Sequence, residues 1–244
     1  MTDGLRVERL THAYGRGAKA LDDVSFAVGA GRFCALLGPN GAGKSTLFAL
    51  ATRLFLPDAG AIHVAGVPLA VDPRSALARM GVVFQQPTLD LDSSVRANLL
   101  YYAALHGMGR REASPRIDAA LDRLAMRERA SERVRVLNGG HRRRMEIARA
   151  LIHDPAVLLL DEPTVGLDAA TRASVVDHVH DLAADGLSVL WATHLVDEVR
   201  DADDLVVLHR GRVVATGTAG AVRGGEALGE RFLSLTGGTA REAA

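Results

Sequence analysis

The sequence predicts an α/β sandwich with a largely parallel central sheet. Residues 32–37 and 157–160 form continuous apolar runs, the pattern of strands buried on both faces. Segments with helical spacing alternate with these and with further short apolar stretches, as in repeated strand–helix units. A glycine-rich stretch, GPNGAGKST at 38–46, lies between the first run and a segment of helical spacing.

The 244 residues suit one domain, or one domain with an inserted subdomain. A chain of this length hides roughly 70–75% of the surface that its unfolded form exposes. Lys plus Arg number 29 and Asp plus Glu number 29, so the formal net charge is zero. That balance argues against a protein that coats nucleic acid. The apolar runs are too short to cross a bilayer, and residues 1–10 lack a signal-peptide core. A cytoplasmic protein is expected. Cys34 is the single cysteine and cannot form an internal disulfide, which fits a reducing compartment. Its place inside an apolar run predicts a buried thiol.

Residues 5–26 read as two short strands, with apolar positions at Leu5 and Val7, then Leu21, Val24 and Phe26, around a Gly15/Gly17 turn. After the buried strand at 32–37, residues 44–55 are expected to be helical. Residues 57–60 form a turn, 61–67 a strand and 82–84 a short strand. From 86 to 136 the chain is rich in Ala, Leu, Arg and Glu, with helical spacing at 95–105 and 117–126. This stretch reads as an all-helical insertion. A helix over 142–152 would bury Met145, Ala148, Leu151 and Ile152. Then follow a strand at 157–160, a helix at 169–183, a strand at 188–192 and a short helix at 195–201. A hairpin of 205–209 and 212–216 turns at Gly211. The tail, about 218–244, is rich in Gly and Ala, with one amphipathic patch at 228–235 and an end at 237–244 expected to fray.

The pattern G-x-x-x-x-G-K-[ST] is met by Gly38, Gly43, Lys44 and Ser45, in the strand-to-helix context that a phosphate-cradling P-loop requires. Glycines at 38, 41 and 43 allow backbone conformations closed to residues with a Cβ, so that N–H groups converge on one oxyanion. The helix start adds its positive dipole end. Lys44 has the wrong charge for a helix N-terminus unless a phosphate neutralises it. Ser45 offers a hydroxyl to magnesium, which accepts few protein ligands. A nucleoside triphosphate with magnesium is therefore expected here. The run at 157–160 leads into Asp161 and Glu162. A strand-end aspartate can hold a water of the magnesium shell, and its neighbour can act as general base on the attacking water. The sequence N-K-x-D that reads guanine is absent. LNGGH at 137–141, followed by Arg142, Arg143 and Arg144, reads either as a second anion-binding helix start or as a loop before a solvated basic face. Three arginines in a first helical turn oppose the dipole and need anionic company. Trp191 is expected in the core, and His178 and His180 on the surface.

Taken in order, these motifs resemble those of the nucleotide-binding subunits of ATP-binding cassette (ABC) transporters, over nearly the whole chain. Tyr14 matches the family's adenine-stacking aromatic. Gly38, Pro39, Asn40, Gly41, Ala42, Gly43, Lys44, Ser45 and Thr46 match the Walker A loop, and Gln85 matches the Q-loop glutamine. Asn138, Gly139, Gly140 and His141 lie in the signature motif. Asp161 and Glu162 match the Walker B pair, 165–168 the D-loop, and His194 the switch histidine. Three positions depart from the family: Asn138 and His141 in the signature, where LSGGQ is usual, and Val165 in place of a D-loop serine.

The resemblance implies a P-loop NTPase core with an antiparallel β layer and a helical subdomain at about 86–136, all in one domain. It implies ATP and Mg2+ as cofactors, with Ser45, Gln85 and Asp161 toward the metal and Glu162, His194 and Gln85 in catalysis. It implies a homodimer or paired cassette, each ATP lying between one P-loop and the other copy's signature. An integral-membrane permease would be contacted through about 88–100, placing the protein on the inner face of the cell membrane. Spacing and the VRANL stretch resemble the branch that works with ABC-2-type export permeases. The rival readings are a soluble ABC-type ATPase acting on nucleic acid or ribosomes, a P-loop kinase and a non-hydrolysing binder. No long coiled-coil insertion or second cassette is visible for the first, and no nucleic-acid partner is expected.

Overall fold

The computed structural model describes residues 3–15 and 17–237. Among these residues the strands form two sheets. In the larger, β3 (Phe33–Leu37), β6 (Met80–Val83), β7 (Val157–Asp161), β8 (Ser188–Thr193), β9 (Asp204–His209) and β10 (Arg212–Thr218) lie in the order β10-β9-β3-β8-β7-β6. Its pairings are parallel except β9 with β10, the expected hairpin, which turns at Gly211. The smaller sheet is antiparallel. Its strands β1 (Leu5–Ala13), β2 (Lys19–Val28), β4 (Ala59–Val64) and β5 (Val67–Pro68) run in the order β2-β1-β4-β5.

The continuous apolar runs arise because the large sheet has a core on each face. In β3, Phe33, Ala35 and Leu37 face one core while Cys34 and Leu36 face the other. The same alternation divides Leu158 and Leu160 from Val157 and Leu159, and Val189 and Trp191 from Leu190 and Ala192. The first core is closed by helices α3 (Val95–Leu105), α4 (Arg110–Arg123), α5 (Gly139–Leu151) and α6 (Ala169–Ala184). The second lies against the small sheet, α1 (Lys44–Ala51) and α2 (Pro73–Leu77). Cys34 and Trp191 are wholly buried, and burial pushes the Cys34 thiol far up.

Several expectations are corrected. The strand expected over 61–67 is two strands, because Ala65 and Gly66 both take positive φ (47° and 80°) and turn the chain back on itself. The helix expected over 44–55 ends at Ala51, and Arg53 at φ 60° stops it. The helix expected over 142–152 begins at Gly139, since the Asn138 side chain caps it, and Leu151 is only half-buried. The helix expected at 117–126 starts at Arg110. Pro115 lies inside it on the exposed face, where a helix curves toward water and tolerates a lost bond. Residues 195–201 hold only a 3₁₀ turn, Val196–Glu198. The tail forms two helices, α7 (Ala219–Arg223) and α8 (Leu228–Thr236), with Phe232 buried. The fraying expected at 237–244 falls, from 238 onward, outside the described residues.

His180 is not a surface residue. Its ring stacks on Phe33 with centroids 3.9 Å apart, and Nε2 lies 2.9 Å from Asp203 Oδ1. His178 is half-buried, with Nδ1 against the Ser174 carbonyl.

Strand β8 lies between β3 and β7. The loops leaving the C-terminal ends of these three neighbours carry 38–46, His194 and Glu162. In open α/β sheets that edge is where ligands bind.

Candidate functional site

The glycine loop is built by conformation and by space. Gly41 and Gly43 have φ of 79° and 112°, open to glycine and costly for other residues. A Cβ on Gly43 would lie 2.7 Å from the Ala20 carbonyl oxygen, and one on Gly38 2.6 Å from that of Leu208. Helix α1 starts at Lys44 with no side chain capping it. Its first-turn N–H groups have no acceptor within the helix and suit an anion at the loop. Lys44 is buried. Its Nζ donates to the Gly38 carbonyl at 2.6 Å and the Pro39 carbonyl at 3.3 Å, and lies 3.1 Å from Glu162 Oε1.

Opposite the loop, β7 ends in Asp161. This carboxylate is buried, and its Oδ1 has no hydrogen-bond partner. Burial, and then the neighbouring Glu162, raise its pKa, while the Ser45 hydroxyl and Lys44 pull it down. An unpartnered buried carboxylate oxygen is costly, and a nearby cation or a water of its shell relieves it. The donors present, one hydroxyl and one carboxylate, fit magnesium, which keeps most of its waters. Among the described residues no group of three or more His, Cys, Asp or Glu could form a protein-only metal cage.

Glu162 sits at φ 46°, its N–H donating to the Ala192 carbonyl at 2.9 Å. The His194 Nδ1 lies 3.3 Å from Glu162 Oε1 but makes no hydrogen bond of good geometry. Between loop and carboxylates opens a cleft of about 490 Å³, large enough for a nucleotide. Asn40, Gly41, Ala42, Gly43, Lys44, Ser45 and Thr46 line it with Ala20, Gln85, Glu162, Val165 and His194. Gly38, Pro39 and Asp161 are not in this lining but touch it: the first two accept from Lys44, and Asp161 meets the Ser45 hydroxyl. Tyr14 stands beside it, half-exposed, its hydroxyl donating to Thr46 Oγ1 at 3.3 Å. Tyr14 packs edge-on against His12 and Phe55, two supporting residues that the sequence did not single out.

Asn138, Gly139, Gly140 and His141 do not line this cleft. The Asn138 Oδ1 accepts from the His141 backbone N–H at 2.9 Å and so caps α5. A Cβ on Gly140 would lie 2.2 Å from Thr171 Cγ2, so this glycine lets α5 approach the start of α6. The anionic company expected for the three arginines is found by Arg143 alone. Arg142 donates to the carbonyls of Val134 and Arg135, and Arg144 to Ser174. Arg143 is buried, pairs with Glu146 at 2.9 Å, and donates to the carbonyls of Phe84 and Gln85. Glu146 also accepts from the Thr88 N–H at 3.1 Å. The sequence reading missed this pair, which anchors the backbone bearing Gln85; an R-x-x-E spacing on one helix face was its only sign. The His141 pKa is lowered by burial, then by Arg129 and Arg144, against Glu132.

The family model described as ABC transporter matches residues 21–165. The Nod factor export ATP-binding protein I of Neorhizobium galegae is 40% identical over 88% of this chain and 62% of its own length. Daunorubicin resistance ATP-binding protein DrrA3 of Streptomyces coeruleorubidus is 41% identical over 82% of this chain and 64% of its own. This chain therefore spans less than two thirds of the length of either relative. Among solved structures, CbiO1 from Clostridium perfringens, part of the ABC transporter complex CbiONQ, superposes with a TM-score of 0.84 at 29% identity, covering 96% of both chains. The glycine loop, the strand-end carboxylates and His194 stand on one sheet edge of a chain that matches these proteins over most of its length: it belongs to the ABC transporter family.

Proposed function

We propose that this chain binds and hydrolyses ATP as the energising subunit of a membrane transporter. The observation that carries this is the meeting, at one sheet edge, of an uncapped helix start, buried Lys44, a carboxylate oxygen without a partner and the Glu162–His194 pair. The backbone N–H groups of the loop and Lys44 would hold the β- and γ-phosphates. Ser45 and Gln85 would hold Mg2+, with Asp161 on one of its waters; the ion supplies neutralisation of phosphate charge. Tyr14 would stack on the adenine. Glu162 would take the proton of the attacking water, and His194 would contact the γ-phosphate. The ammonium of Lys44 now rests against Glu162; a triphosphate would compete for it and free the carboxylate for the water.

The Asn138–His141 loop does not line the cleft of its own chain. Two copies packed head-to-tail would bring the loop of one to the phosphates held by the other. A separate permease would take up the motion. Supporting this is a groove of about 430 Å³, where Phe84, Tyr101 and Leu105 are exposed. Among the described residues no helix is long and apolar enough to cross a membrane. On this reading the permease is another chain and this one sits at the inner face. The relatives' names, with export and drug resistance in them, favour outward transport.

The test is Glu162→Gln. With MgATP the variant should elute as a dimer on a sizing column, while the wild type elutes as a dimer only transiently and releases phosphate. A monomeric variant with undiminished phosphate release would sink the proposal.

A further inference from the structure

The turn that carries Glu162 is held at two points. One is the Glu162 N–H bond to the Ala192 carbonyl in β8. The other is Thr164, two residues on, which is buried and whose Oγ1 donates to Oε1 of Glu198. The second carboxyl oxygen of Glu198 accepts from Trp191 Nε1 at 3.0 Å. Glu198 is itself 2% exposed and closes the 3₁₀ turn that starts two residues after His194. One buried carboxyl group thus joins the turn after Glu162, the strand that leads to His194 and the turn that leaves it. Arg172 at the start of α6 is the nearest cation, its Nε 4.0 Å from Oε1. None of Glu198, Thr164 and Trp191 lines the cleft.

Burying a carboxyl group is costly unless its oxygens are satisfied, and a core built for stability alone would place an apolar side chain here. What this group gains is a fixed spacing between Glu162 and His194, the residues given roles toward the attacking water and the γ-phosphate above. Glu162 needs that fixing: at φ 46° its backbone is in a region that an L-residue leaves unless its surroundings hold it. We propose that Glu198 is a positioning residue: through Thr164 and Trp191 it sets the separation and orientation of Glu162 and His194. This rests on the hydrolytic role given to Glu162 above. Misplacing a reacting group by about 1 Å costs on the order of 100-fold in rate, and a partial displacement less.

Thr164→Val deletes one hydroxyl and keeps the side chain's shape, leaving the loop glycines, Lys44 and Asp161 untouched. In the full chain, its kcat for ATP should fall about tenfold, with the KM for ATP and the affinity for a fluorescent ATP analogue within twofold of wild type. Thr164→Ser, which keeps the donor, should restore kcat to within threefold. In the Glu162→Gln background, Thr164→Val should change the residual rate by less than twofold, since the group it positions is gone. Glu198→Gln, whose amide can accept from only one of the two donors, should reproduce the kcat loss. The inference is overturned if Thr164→Val weakens nucleotide binding as much as it lowers kcat, if serine fails to rescue, or if the two substitutions add in the double variant. An active wild type with Thr164→Val kinetically unchanged overturns this inference alone. A wild type that binds ATP but releases no phosphate overturns the proposed hydrolysis and this inference with it.

Discussion

Two helix starts marked by glycines, at Gly43 and Gly139, look alike in sequence and differ in structure. At the first, nothing caps the helix, the lysine is buried against carbonyls and a carboxylate, and an aspartate oxygen opposite has no partner. At the second, Asn138 caps the helix and each following arginine donates to a carbonyl, a hydroxyl or Glu146. The first end is polar chemistry left open for a ligand. The second is closed by its own chain, apart from the amide nitrogen of Asn138 and the edge that it presents outward. Glycine before a helix is therefore weak evidence of an anion site on its own; unpartnered groups facing it are what distinguish the two.

The contrast predicts that substitutions at the first end cost chemistry, while those in the buried part of the second cost stability and only those on its outward edge reach ATP-driven dimerisation. The largest effect should come from Glu162→Gln: phosphate release lower by roughly 10²–10⁴-fold, with ATP binding and the unfolding midpoint in denaturant close to wild type. A variant that loses stability and keeps its rate would reverse the distinction. Next is Arg143→Ala, which leaves Glu146 buried without its cation and should cost about 3–5 kcal/mol in urea unfolding. Replacing both with apolar residues of similar size should recover most of that loss. If Arg143→Ala were instead neutral in stability and weakened ATP binding, the buried arginine would be serving a ligand and not the fold.

The C-terminal end of the same helix gives a pH test. His153 stacks on His106 at 4.2 Å and places Nε2 3.0 Å from the Met80 carbonyl. Burial, and then His106, lower its pKa to about 4. Because the folded value lies below the unfolded 6.5, the unfolded chain binds the extra proton first between these values. Stability is then full above about pH 6.5 and is lost as pH falls toward 4. At pH 5 the loss should be about 1–2 kcal/mol relative to pH 7.5, after allowance for partial exposure. Unfolding curves of wild type and His153→Gln across this range check it; a flat wild-type profile would contradict it. The smallest effect is Asn138→Ala, which removes the α5 cap and should cost about 1 kcal/mol, with Asn138→Ser restoring it. A loss of ATP-driven dimerisation beyond what the cap accounts for would show that the outward amide also meets a ligand.

The buried strands, the hairpin at Gly211 and the P-loop with its carboxylates were legible in sequence because each is written locally, in a continuous apolar run or a fixed spacing. The β4–β5 turn was missed because Ala65 at positive φ has no sequence signal without its partner Gly66 being read as a hairpin. The start of α4 was missed because its first turn, Arg110–Ala113, buries only Ala113, too little to show a helical period. Most partners of the arginines after LNGGH were not legible because they are carbonyls and a hydroxyl 7 to 59 residues away, which no local pattern contains; only the Arg143–Glu146 spacing is local. The Thr164–Glu198–Trp191 link was invisible for the same reason.

The backbone of Glu162 sets two selective pressures against each other. Glycine at this position would relieve about 1–2 kcal/mol of left-handed strain, so a lineage selected for folding alone would drift toward it. The carboxylate can be kept only by a chain that spends interactions elsewhere to hold an unfavourable turn. Relatives that have lost hydrolysis should accordingly show smaller or more flexible residues here, and gain stability as they do.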